Sequence, residues 1–404
     1  MRVLIATDKF KGSATAQEVG LAIARALEKI APDWQCEVCG IADGGEGTAA
    51  ALVESTGGTW ANVEVRDAQR RITQATYGLL PSNVSQHGEQ ASRLFASHSA
   101  NPSTNPQARC LCPIPATTAV VMEMSAASGL AMVSDLPLAP DRATTFGTGE
   151  MMRHAIEHGC KRLMIGIGGS ATNDGGIGMA QALGFQFLDA QGVPVIDLPQ
   201  DFERVERIQP PSLPFPEILV ACDVDNPLLG PRGASAVYGP QKGVRDVAFF
   251  EQRLEKLAQL VKRDLGVDCA DIPGAGAAGG LGFGLMAFCG AKLMSGFDLV
   301  AQAIGLEERL RGIDLLITGE GRMDSQSLCG KGPVGVARMA RRHGAKVIGI
   351  AGSIQDHAAL MQDFDLLLQT KPADMPLEEA IRRGASLIEE SLAPHAAVIR
   401  ETVL

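Results

Sequence analysis

The chain repeats one local design five times: a short apolar run, glycines with carboxylates or lysines at its end, then a helical pattern. The stretches are "VLIATDKFKGS" (Val3–Ser13), "VCGIADGGEGT" (Val38–Thr48), "LMIGIGGSATNDGGIG" (Leu163–Gly178), "ILVACDVDNP" (Ile218–Pro227) and "LLITGEGRMDS" (Leu315–Ser325). Short apolar runs bounded by turn residues and followed by helices read as parallel strands buried on both faces. In such sheets ligands bind outside the carboxyl ends of the strands. The repeat therefore fixes an α/β class and places the chemistry at the glycine and acid tips.

At 404 residues the chain is too long for one ordinary core, so two domains are expected. Glycine is abundant, at 46 residues, while Trp and Tyr number two each. That balance suits tight loops around phosphorylated ligands and fits poorly with base stacking. A net charge of −10 without a basic cluster argues against nucleic acid as a partner. No apolar stretch approaches the ~20 residues of a membrane span. An odd count of nine scattered cysteines, with no signal peptide, leads us to expect reduced thiols and a cytoplasmic protein.

The βα alternation breaks once. Asn62–Val65 and Ile72–Tyr77 read as an antiparallel hairpin, so a change of domain is expected near residue 65. Residues 81–115 are rich in Ser, Asn, Gln, His and Pro and lack an apolar period, which reads as a flexible surface insertion. Before the hairpin, Thr15-x-x-Glu18 opens a helix as a capping box.

Three further patterns imitate sites. Cys36-x-x-Cys39 has a metal spacing but lies in an alternating strand. His154 and His158 are four apart on a helix and lack a third ligand nearby. Gly274-x-Gly276-x-x-Gly279 matches the dinucleotide fingerprint, yet a helix ending near Gly266 precedes it where that motif needs a strand.

The stretches "ATDKFKGS", "IADGGEGT", "GIGGSATNDGG", "ACDVDNPLLGPRGASAVYGPQKG", "PGAGAAGGLGFG" and "ITGEGRMDSQSLCGKGPVGVA" resemble the signature blocks of bacterial glycerate kinases, in family order from Val3 to about Ser353. These are the kinases of glycolate, glucarate and galactarate catabolism. The polar 81–115 segment departs from the family pattern. The resemblance implies ATP-dependent phosphorylation of D-glycerate with Mg²⁺, favouring 2-phosphoglycerate as product. It also implies a discontinuous flavodoxin-like α/β domain (1–65 plus 286–404) and a second α/β domain inserted between its halves (66–285).

Phosphoryl transfer needs a phosphate cradle, a metal and a proton acceptor. By residue type and position, Asp174 and Asp223 are candidates for the metal or the reacting hydroxyl. Lys9, Lys11 and Arg232 would hold the substrate carboxylate or γ-phosphate. Gly168, Gly169, Ser170, Gly276, Gly279 and Lys331 are candidates for the nucleotide, and Glu320 and Asp324 for further metal ligands. Asp43 and Glu46 compete for the same work, and Lys242 is expected beside Arg232 on a flexible loop. The alternatives are an NAD-dependent hydroxy-acid dehydrogenase and a non-catalytic sugar-acid-binding protein. The first leaves the carboxylates without work, and the second needs no metal cluster. The sequence leaves the oligomeric state open.

Overall fold

The computed structural model describes residues 1–45, 47–81, 119–212, 214–325, 327–329 and 332–403. Glu46, Lys331 and nearly all of the polar 81–115 segment lie outside the described residues. Among those described, the strands in chain order are β1 (Arg2–Thr7), β2 (Gln35–Gly40), β3 (Thr59–Arg66), β4 (Ile72–Leu80), β5 (Ala119–Glu123), β6 (Arg162–Gly166) and β7 (Gln186–Leu188). There follow β8 (Arg207–Gln209), β9 (Glu217–Ala221), β10 (Lys292–Met294), β11 (Leu315–Met323), β12 (Lys346–Ile354) and β13 (Leu366–Gln369).

One sheet runs β13-β12-β11-β1-β2 with every neighbour parallel. Counted in order of appearance its strands lie 2-1-3-4-5, the flavodoxin-like order, and the winding reverses between β1 and β11. Helix α1 (Ala16–Ile30) covers one face through Val19, Ile23 and Leu27. Its capping box is complete: Thr15 Oγ1 accepts from Glu18 N, and Glu18 accepts from Thr15 N at 2.8 Å. The second sheet runs β10-β9-β6-β5-β4-β3. Strands β5, β6, β9 and β10 are parallel, and the β3–β4 hairpin completes the edge in antiparallel register. A small third sheet pairs β7 with β8.

The two large sheets share an apolar layer. Leu52 and Val53 of helix α2 (Thr48–Thr56) and Phe297 and Val300 of the helix Gly296–Ala303 pack in one cluster with Leu4 and Leu316 of the first sheet and Val121, Met164 and Leu219 of the second. Each such buried side chain contributes roughly 1.5–3 kcal/mol, so this layer fixes how the strand tips of one sheet face those of the other. The β3 and β10 strands belong to the second sheet. The chain therefore passes between the two sheets before Thr59 and after Met294. A three-residue strand such as β10 is too short to show a period.

Candidate active site

Three acids gather at the carboxyl edge of the flavodoxin-like sheet, where its winding reverses. Asp8 follows β1, Asp43 lies beyond β2, and Glu320 lies within the last turn-ward half of β11. Asp8 is only 7% exposed. Its backbone N–H donates to the Gly319 carbonyl (2.8 Å), and its Oδ1 accepts from Lys9 N at 2.6 Å. Burial, reinforced by Asp43 and Glu320, pushes the Asp8 carboxyl up to about 7. Burial also raises Glu320, with Asp43 and Asp324 adding to the effect and the Ser327 hydroxyl opposing it. A cavity of about 70 Å³ opens here, bounded by Asp8, Lys9, Thr15, Ile41, Gly47 and Ala51 among others.

The tips of the second sheet meet this edge. Beyond β6, Gly168 and Gly169 form an exposed turn, with Gly169 at φ +72°. A Cβ on Gly168 would lie 4.0 Å from Gly45 Cα, an ordinary van der Waals contact, so the turn abuts the β2 tip. Glu123, at the end of β5, accepts from Gly47 N (2.9 Å) and Ala49 N (3.0 Å), capping α2 from the other sheet. Asp223, just past β9, is exposed and accepts from Gly296 N at 3.4 Å. Its Oδ2 lies 3.4 Å from where a Gly44 Cβ would stand. Asp43–Gly45, Gly168–Gly169 and Asp223 thus share one cleft.

Other sequence candidates fall elsewhere. Asp174 is buried and fully occupied. It accepts from Thr145 N (2.8 Å), Thr145 Oγ1 (2.9 Å), Gly176 N (3.1 Å), Gly178 N (3.3 Å) and Thr144 Oγ1 (3.5 Å). It ties the start of the helix Ile177–Ala182 to that of the helix Phe146–Glu157, which leaves it ill placed to meet a metal or a hydroxyl. Lys242 is not on a flexible loop: it is 1% exposed, and its Nζ donates to Ser170 Oγ (2.5 Å) and the Thr172 carbonyl (2.6 Å). Ser170 is buried with it, as the floor of the Gly168–Gly169 turn rather than its rim.

Gly276 and Gly279 are occupied by protein. A Cβ on Gly276 would sit 2.2 Å from the Pro227 carbonyl oxygen, and one on Gly279 2.0 Å from that of Thr172. These glycines let the chain pack against itself and leave no room there for a nucleotide. No strand precedes them, as the imperfect fingerprint implied. Arg232 is exposed and paired with Asp225 at 2.8 Å. Glu320 accepts from Ser327 Oγ (2.8 Å), and Asp324 pairs with Arg322 at 3.0 Å. Lys9 lines the cavity, and Lys11 is exposed beside the β11 tip, its N 3.4 Å from a Cβ built on Gly321.

Among the described residues, no three His, Cys, Asp or Glu side chains form a group that could hold a metal. His154 instead shares a 2.8 Å hydrogen bond with Tyr77 OH and stacks on His158. Cys36 and Cys39 are free and pack in different clusters on opposite faces of β2. No helix among the described residues is long and apolar enough to cross a membrane. Sequence reasoning missed Asp8 and Glu123. The signal for Asp8 was its place directly after the central strand, where the neighbouring lysines drew the attention.

The fold is α/β, built on two large sheets, with strand tips of one sheet lying against those of the other. The sequence matches the glycerate kinase family over residues 3–400. It is 39% identical to the Escherichia coli protein named glycerate 2-kinase, over 95% of this chain and 93% of that one. It is also 39% identical to the Bacillus subtilis glycerate kinase, over 99% and 98% of the two chains. A crystal structure from Salmonella typhimurium, described as a glycerate kinase 2, superposes with a TM-score of 0.83 at 39% identity, covering 99% of this chain and 98% of the other. The chain belongs to the glycerate kinase family and is a kinase. That assignment sets aside the dehydrogenase and the non-catalytic binding protein.

Proposed function

We propose that the enzyme transfers the γ-phosphoryl group of ATP to D-glycerate, with Mg²⁺, and that the product is 2-phosphoglycerate. The observation that carries this is the likeness across 390 aligned residues to a relative named glycerate 2-kinase. The two sheets would be the two domains, with the reaction in the cleft between them. Gly168–Gly169 fits the phosphates, because its glycine backbone is exposed at the strand tip. Lys9 and Lys11 would hold the glycerate carboxylate and the transferring phosphoryl group. Mg²⁺, when bound, neutralises charge on the phosphates and is commonly held by one or two carboxylates together with those phosphates. The exposed carboxylate of Asp223 fits that arrangement.

Two measurements test this reading. Incubation with glycerate, ATP and Mg²⁺ should release ADP, and enolase alone should then convert the product to phosphoenolpyruvate. If phosphoenolpyruvate forms only after phosphoglycerate mutase is added, the 3-hydroxyl is the acceptor. Asp223→Asn should lower kcat by roughly 10²-fold, typical of losing a charged group from the reaction site. Its melting temperature should hardly move, since the side chain is exposed. A variant with normal kcat at saturating Mg²⁺ would remove Asp223 from the site.

A further inference from the structure

The carboxylate best placed to receive the substrate's proton is one the cleft geometry isolates. Asp8 is almost wholly buried, yet only Oδ1 has a partner among the described residues, the Lys9 backbone N–H. Oδ2 has none, and it belongs to a side chain that lines the cavity of about 70 Å³. That volume has room for a molecule of a few carbons. Its walls divide by chemistry. Ile41, Ala42, Ala50 and Ala51 offer carbon, while Asp8 and Lys9 offer a carboxylate and an ammonium side by side. The cavity lies beyond the tips of β1 and β2, between α1 and α2, at the carboxyl edge of the sheet, where ligands bind in such sheets.

Resting on the proposal that the substrate is glycerate, we propose that this cavity seats the acceptor and that Asp8 takes the proton from its reacting hydroxyl. The hydroxyl oxygen forms the new P–O bond as the bond from the γ-phosphorus to the bridging oxygen breaks. The hydroxyl proton moves to Asp8 Oδ2, ADP departs, and Asp8 returns the proton to water. Lys9 meets the carboxylate of the substrate. Burial, reinforced by Asp43 from the β2 tip and Glu320 from β11, keeps Asp8 basic enough to accept a proton near neutrality, and Lys9 limits that rise. Glu54 of α2 also lines the cavity.

The test is a steady-state comparison of the full-length enzyme with Asp8→Asn, which keeps the shape and an acceptor for Lys9 N. The expected result is a fall in kcat of roughly 10²-fold or more, with the KM values for glycerate and ATP within about threefold. In the wild type, kcat should fall on the acid side of about pH 7, as the base becomes protonated. Asp8→Asn should lose that limb. A folded Asp8→Asn enzyme with near-normal kcat, or one altered in KM alone, overturns the assignment. Should Asp8→Asn fail to fold, the wild-type profile decides: a kcat flat from pH 5.5 to 8.5 overturns it as well. If the wild type makes no ADP with glycerate at all, the substrate reading fails instead, which separates the two failures.

Discussion

Asp174→Ala is expected to destabilise the protein by roughly 3–5 kcal/mol, as removal of one partner from a buried charged network commonly does. The carboxylate accepts from five donors in a buried site, three of them backbone N–H groups of Thr145, Gly176 and Gly178. Thr145 Oγ1 in turn accepts from Met179 N at 2.9 Å, so the loss spreads to the next turn of the following helix. Each buried donor left unpaired costs about 1–3 kcal/mol, and relaxation or an entering water recovers part of that. Asp174→Asn keeps one acceptor oxygen but turns an NH₂ towards donors, so it should destabilise less, though in the same direction. Urea unfolding measures both, alongside kcat of the folded fraction. An unchanged midpoint with a kcat loss of two orders of magnitude would return Asp174 to the reaction itself.

The expectation for Asp174 shows where one-dimensional reading stops. The strands, the Thr15–Glu18 capping box and the β3–β4 hairpin were legible, because each is set by residues close together in the chain. The strand tips themselves were legible too, and Asp8, Asp43, Gly168 and Asp223 all lie at or just beyond them. What a tip residue does depends on what packs against it. Gly168 and Gly279 look alike in sequence. One is exposed and would tolerate a Cβ at ordinary contact distance, and the other has the Thr172 carbonyl where its side chain would be. Asp174 and Asp223 are both acids beyond a parallel strand, and each accepts from a helix start, yet Asp174 is buried among five donors while Asp223 is exposed.

Glu123 offered a single carboxylate at the end of an apolar run and nothing to say that it caps a helix of the other sheet. Such contacts join residues more than seventy positions apart, and no local pattern encodes them. The crossings between the sheets were blurred for a related reason. Strand β10 is recognisable only by its partner β9, not by its own three residues. The flavodoxin-like arrangement was legible through the family resemblance alone, since the order 2-1-3-4-5 is a property of pairing between distant segments.

Lys242→Met is expected to change stability by an amount that depends on pH. Burial pushes the Lys242 ammonium down from 10.5 to about 7, and the charge of Asp174 opposes the shift. Below pH 7 the folded and unfolded chains both hold the proton, and the wild type carries the full penalty of a buried cation. Between 7 and 10.5 the unfolded chain still binds the proton that the folded one has released. Stability from this side chain therefore rises with pH in that window, by up to about 1.4 kcal/mol per unit. Methionine fills a similar volume, cannot titrate and donates nothing to Ser170 Oγ or the Thr172 carbonyl. The destabilisation of the variant relative to wild type should thus be about 2 kcal/mol larger at pH 8.5 than at pH 6.5, by the same slope. Paired urea titrations at the two pH values provide the measurement. A difference that does not change with pH would mean that Lys242 keeps its proton throughout, held as a permanent cation by Asp174 beneath the Gly168–Gly169 turn.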